Sequence, residues 1–176
     1  SGPNQGKTPL DAANETTQTE TGDLLRKHGG KTGEDLPNPP NIPLWKAIQS
    51  GNIDAVKQHL DAGTDANWDA SSGWTQLTWA AHENRTEIGK LLIEYGAGVN
   101  EHGRTVGHTA LHEACRNGHK EFVELLIAND VDVNLKRKFG STPLAWAENR
   151  EITELLLANG ADVNARNNDG FTPLDS

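Results

Sequence analysis

TALHEACRNGH (Thr109–His119) reads as a short helix with its own punctuation. The Thr109 hydroxyl can cap the free N–H groups of a first helical turn. Ala114 and Cys115 are small and let a neighbouring helix approach closely. Asn117-Gly118 then breaks the chain. Beyond it, Phe122, Val123, Leu125, Leu126 and Ile127 form the apolar stripe of a second helix. A single pair of such helices cannot bury that stripe.

The phrase recurs along the chain. Its variants are Thr8-Pro9-Leu10, Ile42-Pro43-Leu44, Thr75-Gln76-Leu77, Thr109-Ala110-Leu111, Thr142-Pro143-Leu144 and Thr172-Pro173-Leu174. Their middle residues step by 34, 33, 34, 33 and 30. Pro at the first helical position costs nothing, because its N–H would be unpaired there anyway. An apolar triplet keeps the same register at Leu91-Leu92-Ile93, Leu125-Leu126-Ile127 and Leu155-Leu156-Leu157. So does a phrase ending in Asn67, Asn100, Asn134 and Asn164, whose expected role is to hydrogen-bond adjacent loops together. Gly96, Gly160 and their equivalents end the second helices. Stacked helix pairs bury one continuous core, so the expected product is a solenoid.

These phrases resemble the ankyrin-repeat family, whose signature at 33 residues is T-P-L-H-x-A. Thr109–Ala114 is its nearest copy here. The resemblance implies an all-α array of helix-turn-helix units joined by β-hairpin-like finger loops. The chain then divides into a helix pair with a Pro-rich connection at 1–41, repeats at 42–67, 68–100 and 101–134, a shortened repeat at 135–164, and an incomplete one at 165–176. KTGEDLPNPPN (31–41) lacks the Asn phrase, and Pro37, Pro39 and Pro40 remove amide donors. The first pair either stacks on the second despite this loop or begins a separate array. Stacking is the better reading, since Leu24 and Leu25 would otherwise lose their cover. The unit at 135–164 is three residues shorter than its neighbours, which predicts a truncated first helix or turn. Gly22 and Gly89 stand where second helices carry aliphatics, each at an expected cost of about 1 kcal/mol relative to Ala.

Composition narrows the function classes. The net charge of −9 disfavours binding to the phosphates of nucleic acid. No run reaches the ~18 apolar residues that span a bilayer, and no basic-then-apolar leader is visible. One cysteine permits no intrachain disulfide and fits a reducing compartment such as the cytoplasm. Hydrophobic residues are 34%, lean for a large globular core.

Candidate chemistry is sparse. His102, His108, His112 and His119 lie close in sequence, but the resemblance gives His112 to its own helix start and His119 to the interhelical turn. Two histidines are too few for zinc, and His112-Glu113 does not continue into an HExxH motif. Gly6-Lys7-Thr8 lacks the spacing and the preceding strand of a phosphate loop. Cys115, three residues after His112, fits an inert buried thiol better than a nucleophile. No cofactor or metal is expected, nor catalysis.

The tryptophans Trp45, Trp68, Trp74, Trp79 and Trp146 carry more information. Trp79 and Trp146 follow the histidine slot and are expected to pack. Trp74, between Gly73 and Thr75, stands where the family contacts its partners, as do His108 and Phe171. The basic fingertip Lys136-Arg137-Lys138-Phe139 is either a solvated turn or a contact for an acidic or phosphorylated partner. The resemblance implies a protein-binding module with a concave face. Position by position, that face would hold Trp68, Asp69, Ser71, Ser72, Trp74, His82 and Glu83. It would continue through His102, Arg104, His108 and Arg116 to Lys136, Lys138 and Phe139, with Gln49 extending it toward the N-terminus. The alternative is head-to-tail self-association through uncapped repeat ends, since Thr172-Pro173-Leu174 opens a unit that is not completed. A monomer by light scattering at high concentration would remove it.

Overall fold

The computed structural model describes residues 39–67, 73–104 and 107–175. The first helix pair and Gly22, Leu24, Leu25, Trp68, Asp69, Ser71 and Ser72 lie outside these residues. Among the described residues stand seven α-helices: α1 (Leu44–Ser50), α2 (Ile53–Asp61), α3 (Gln76–His82), α4 (Thr86–Glu94), α5 (Ala110–Arg116), α6 (Lys120–Ile127) and α7 (Arg150–Ala158). Two 3-10 segments, Pro143–Trp146 and Pro173–Asp175, complete the order. The first helices α1, α3, α5 and the Pro143–Trp146 segment pack in one row, and α2, α4, α6 and α7 in a second. None of these described helices is long and apolar enough to cross a membrane.

At Thr75 and Thr109 the capping chemistry works as the sequence implies. Thr75 accepts from the Thr78 N–H at 3.1 Å, and Thr109 from the His112 N–H at 3.4 Å. Asn52 and Asn149 cap second helices through Ala55 N–H and Ile152 N–H. Gly51, with φ of 73°, turns α1 into α2 in the left-handed region that glycine enters without penalty. The core runs through both rows. Ile48, Leu77, Leu92, Leu111, Phe122, Leu126, Ile152 and Leu156 are all fully buried.

The shortened unit loses its first helix. Only four residues, Pro143–Trp146, form a 3-10 turn where the preceding units have seven-residue helices. Thr142 makes no capping bond, and its Oγ1 is buried without a partner. Three missing residues leave too little chain for a full α-turn before α7 begins.

Finger loops join the units with sparse hairpin pairing. Gly103 N–H donates to His108 O at 3.2 Å, Arg137 N–H to Ser141 O at 3.1 Å, and Asn167 N–H to Phe171 O at 2.9 Å. Adjacent fingers are tied by the phrase-ending asparagines. Asn67 donates to Gly96 O and accepts from Gly98 N–H. Asn134 does the same with Gly160 O and Asp162 N–H, and Asn100 accepts from Asp132 N–H. His112 adds an inner tie. Its Nε2 donates to Ser141 O at 3.1 Å, and its Nδ1 accepts from the Thr109 hydroxyl at 2.9 Å.

Gly89 is where helix propensity misleads. A Cβ there would lie 2.7 and 2.8 Å from ring carbons of Phe122 on α6. Phe122 is itself fully buried, so its ring fills the slot the glycine leaves and has nowhere to retreat. Propensity alone makes Gly89→Ala a gain of about 1 kcal/mol. Overpacking at a sealed site outweighs it, so we expect a net loss of about 1–2 kcal/mol in urea denaturation. Adding Phe122→Leu should make Gly89→Ala less costly than it is in the wild-type background. A net gain for the single variant would refute the packing account.

Candidate recognition surface

An aromatic row lies where the fingers meet the first helices. The Trp45 and Trp79 ring centres are 6.0 Å apart, and those of Trp79 and Trp74 are 4.9 Å apart. Trp74 also packs edge-on against His82 at 4.9 Å and lies 6.5 Å from His108. His108 meets Trp146 edge-on at 5.1 Å. All four tryptophans are half-buried: one side packs inward and the other reaches solvent. Helix register explains the row. Trp79 and Trp146 occupy the same slot of their units, and Trp74 and His108 share the slot before the capping threonine.

Glu113 takes the Trp79 and Trp146 slot in the unit between them, and it is fully buried. Each carboxylate oxygen has its own imidazole. His82 Nδ1 donates to Oε2 at 3.1 Å, and His108 Nδ1 donates to Oε1 at 2.6 Å. Burying an unpaired carboxylate would cost several kcal/mol, so the two histidines are what makes this position tenable. The bridge locks α3 to α5 directly beneath Trp74. His119 strengthens the same junction, with Nε2 donating to His82 O at 3.2 Å.

The expected surface residues divide accordingly. Trp74 and His82 sit in the row. His108, expected to face a partner, is buried instead, because Glu113 draws its ring inward and Trp146 covers it. Arg116 is exposed and lies 5.5 Å from the Trp146 ring centre. Phe139 is 50% exposed and stacks under Arg137 at 5.2 Å. Lys136 is tied to the next finger through Arg166 O at 3.0 Å. His102, Arg104 and Lys138 are exposed on the fingers, Gln49 is exposed near the end of α1, and Glu83 closes α3. Sequence reasoning missed Glu113 as the buried support of this surface and took Arg137 only as one residue of the basic fingertip. The available signal was a carboxylate in a slot that the flanking units fill with tryptophan.

The remaining candidates sit apart from this chemistry. Burial pushes the Cys115 thiol up to about 12, so it is not a thiolate at neutral pH. Burial also lowers His112 to about 4, which keeps it the neutral hydrogen-bonding strut described above. Among the described residues, no three His, Cys, Asp or Glu side chains converge on a metal position.

Stacked helix pairs with paired fingers and a solvent-facing aromatic row define a solenoid repeat protein. The family model for ankyrin repeats (3 copies) matches residues 44–137 and 111–176, and the chain belongs to the ankyrin-repeat family. Such repeats mediate protein–protein interaction and are not themselves catalytic. The chain is 36% identical to the palmitoyltransferase Hip14 of Drosophila melanogaster over 100 residues, covering 57% of the chain and 16% of that protein. It is also 36% identical to the ankyrin repeat and KH domain-containing protein mask of the same organism, over 59% of the chain and 3% of that protein. Mouse palmitoyltransferase ZDHHC13 is 34% identical over 62% of the chain and 18% of its own length. The chain thus spans a small fraction of each of these relatives.

Proposed function

We propose that this chain is a protein-recognition module, not an enzyme, and that it binds through the face carrying Trp74, Trp79 and Trp146. The observation that supports this most is the placement of Trp74. Its ring is half-exposed yet packed against Trp79 and against His82, which Glu113 anchors from beneath, so little freedom is lost when it is displayed. Rigid, partly exposed tryptophan is the side chain most enriched at binding hot spots. Phe139 extends the apolar surface along the face, and the charged finger residues form its rim.

The test is a Trp74→Ala, Phe139→Ala double variant, checked for wild-type circular dichroism. A partner captured on the wild-type protein and identified should then bind the variant about 30-fold or more weakly, the scale of a 2 kcal/mol hot spot. Undiminished binding would reject this face.

A further inference from the structure

Two guanidinium groups converge on one indole at the C-terminal end of the aromatic row. Arg137 Cζ lies 4.5 Å from the Trp146 ring centre, and Arg116 Cζ lies 5.5 Å from it. Arg137 is sandwiched, with the Phe139 ring 5.2 Å from the same carbon. The ring face attracts each cation, but the two cations repel each other. Among the described residues no carboxylate forms an ion pair that relieves that repulsion. Other basic residues do find acids: Lys120 pairs with Glu151, Lys90 with Glu87, and Arg150 with Glu154. Arg116 and Arg137 have no such pair among the described residues, although the protein carries a net charge of −9.

The acidic groups nearby are occupied or turned elsewhere. Glu113 spends both oxygens on His82 and His108. Glu148, two residues after Trp146, is exposed and pairs with neither arginine. Arg137 Nε is buried and has no hydrogen-bond partner, an unmet donor that costs free energy. Desolvation lowers the Arg137 pKa, and no neighbouring acid opposes that shift. His112, beneath the Trp146 edge at 6.2 Å, is neutral and adds no charge.

We propose that Arg116 and Arg137, laid on Trp146, form an anion site that takes a carboxylate or phosphate group from an extended acidic segment of a partner protein. The inference rests on the recognition reading above and names the partner's chemistry. Guanidinium offers paired donors that match either oxyanion, and its stacking on aromatic rings holds the fork in place. Lys136 and Lys138 on the same finger add a diffuse positive field around it.

Three fluorescein-labelled octapeptides test the site by fluorescence anisotropy: alternating Glu and Asp, alternating Gln and Asn, and alternating phosphoserine and Gly. At least one of the two charged peptides should bind ten times or more tighter than the neutral one. Whichever binds tighter identifies the source of the anion. The Arg137 Nε–Hε resonance should shift on saturation. Arg116→Gln with Arg137→Gln should weaken charged-peptide binding tenfold or more, and Lys136→Gln with Lys138→Gln should weaken it several-fold less. If the Gln pair melts early, Arg116→Lys with Arg137→Lys keeps the charge without the stacked fork and should still lose three- to tenfold. The site is refuted if neither charged peptide binds, if the arginine variants bind as well as wild type, or if the two lysines matter as much as the two arginines. If the arginine variants leave a captured partner unaffected while Trp74→Ala with Phe139→Ala releases it, the recognition face stands and the anion site falls. If neither pair of changes affects that partner, both fall.

Discussion

Glu113→Ala should destabilise the protein by about 3 kcal/mol. The change strands the buried His108 Nδ1–H, which has no water to turn to and costs roughly 1–3 kcal/mol. It also opens a void at a fully buried position between two units, adding about 1 kcal/mol or more. His82 is half-exposed and recovers most of its loss by hydration. Urea denaturation followed by tryptophan fluorescence measures the effect. Glu113→Gln separates shape from chemistry. It fills the same volume but offers one acceptor and one amide donor to two imidazole donors. It should fall between wild type and Ala, and it can satisfy both rings only if one histidine changes tautomer. Two variants as stable as wild type would show that the bridge contributes nothing.

Gly103→Ala should cost about 2–3 kcal/mol and disturb Trp74. A Cβ at Gly103 would lie 1.7 Å from the Gly73 carbonyl oxygen, 2.7 Å from its carbon and 3.0 Å from the Trp74 Cα. These are backbone atoms, so no rotamer change relieves the clash, and the two fingers must separate. Trp74 would then be drawn off Trp79 and His82, shifting its fluorescence. Gly160→Ala is the matching control. Its φ of 88° strains any L side chain, but nothing lies within 4 Å, so it should cost about 1 kcal/mol without touching the tryptophans. A Gly103→Ala protein with unchanged stability and emission would contradict the close approach of these fingers.

The repeat period, the threonine caps, the asparagine ties and the shortened unit are legible in the sequence because each is local or recurs at a fixed step. The truncation shows this well: three missing residues between Ala147 and Glu151 translate directly into a 3-10 turn. The pairings across units are not legible. Periodicity places α3 beside α5, but it does not say that His82 reaches Glu113, 31 residues on, or that Phe122 fills the slot above Gly89. Those depend on side-chain rotation and on the shape left by the facing unit. His108 illustrates the difference. Its slot pointed to the surface, as for Trp74, but a carboxylate four helix positions beyond the cap exerted the stronger pull. Arg137 was legible only as one charge in a basic run, since its sandwich between Phe139 and Trp146 needs the finger folded back over the 3-10 turn.

The aromatic row also has an optical consequence. Four of the five tryptophans lie along one side of the array, with Trp74 and Trp79 close enough for their excited states to couple. Imidazole rings touch this group at His82 and His108. The emission of these four described tryptophans therefore reports on this side of the array. A ligand that dims or shifts the emission of these four tryptophans thereby reports contact with this side of the array.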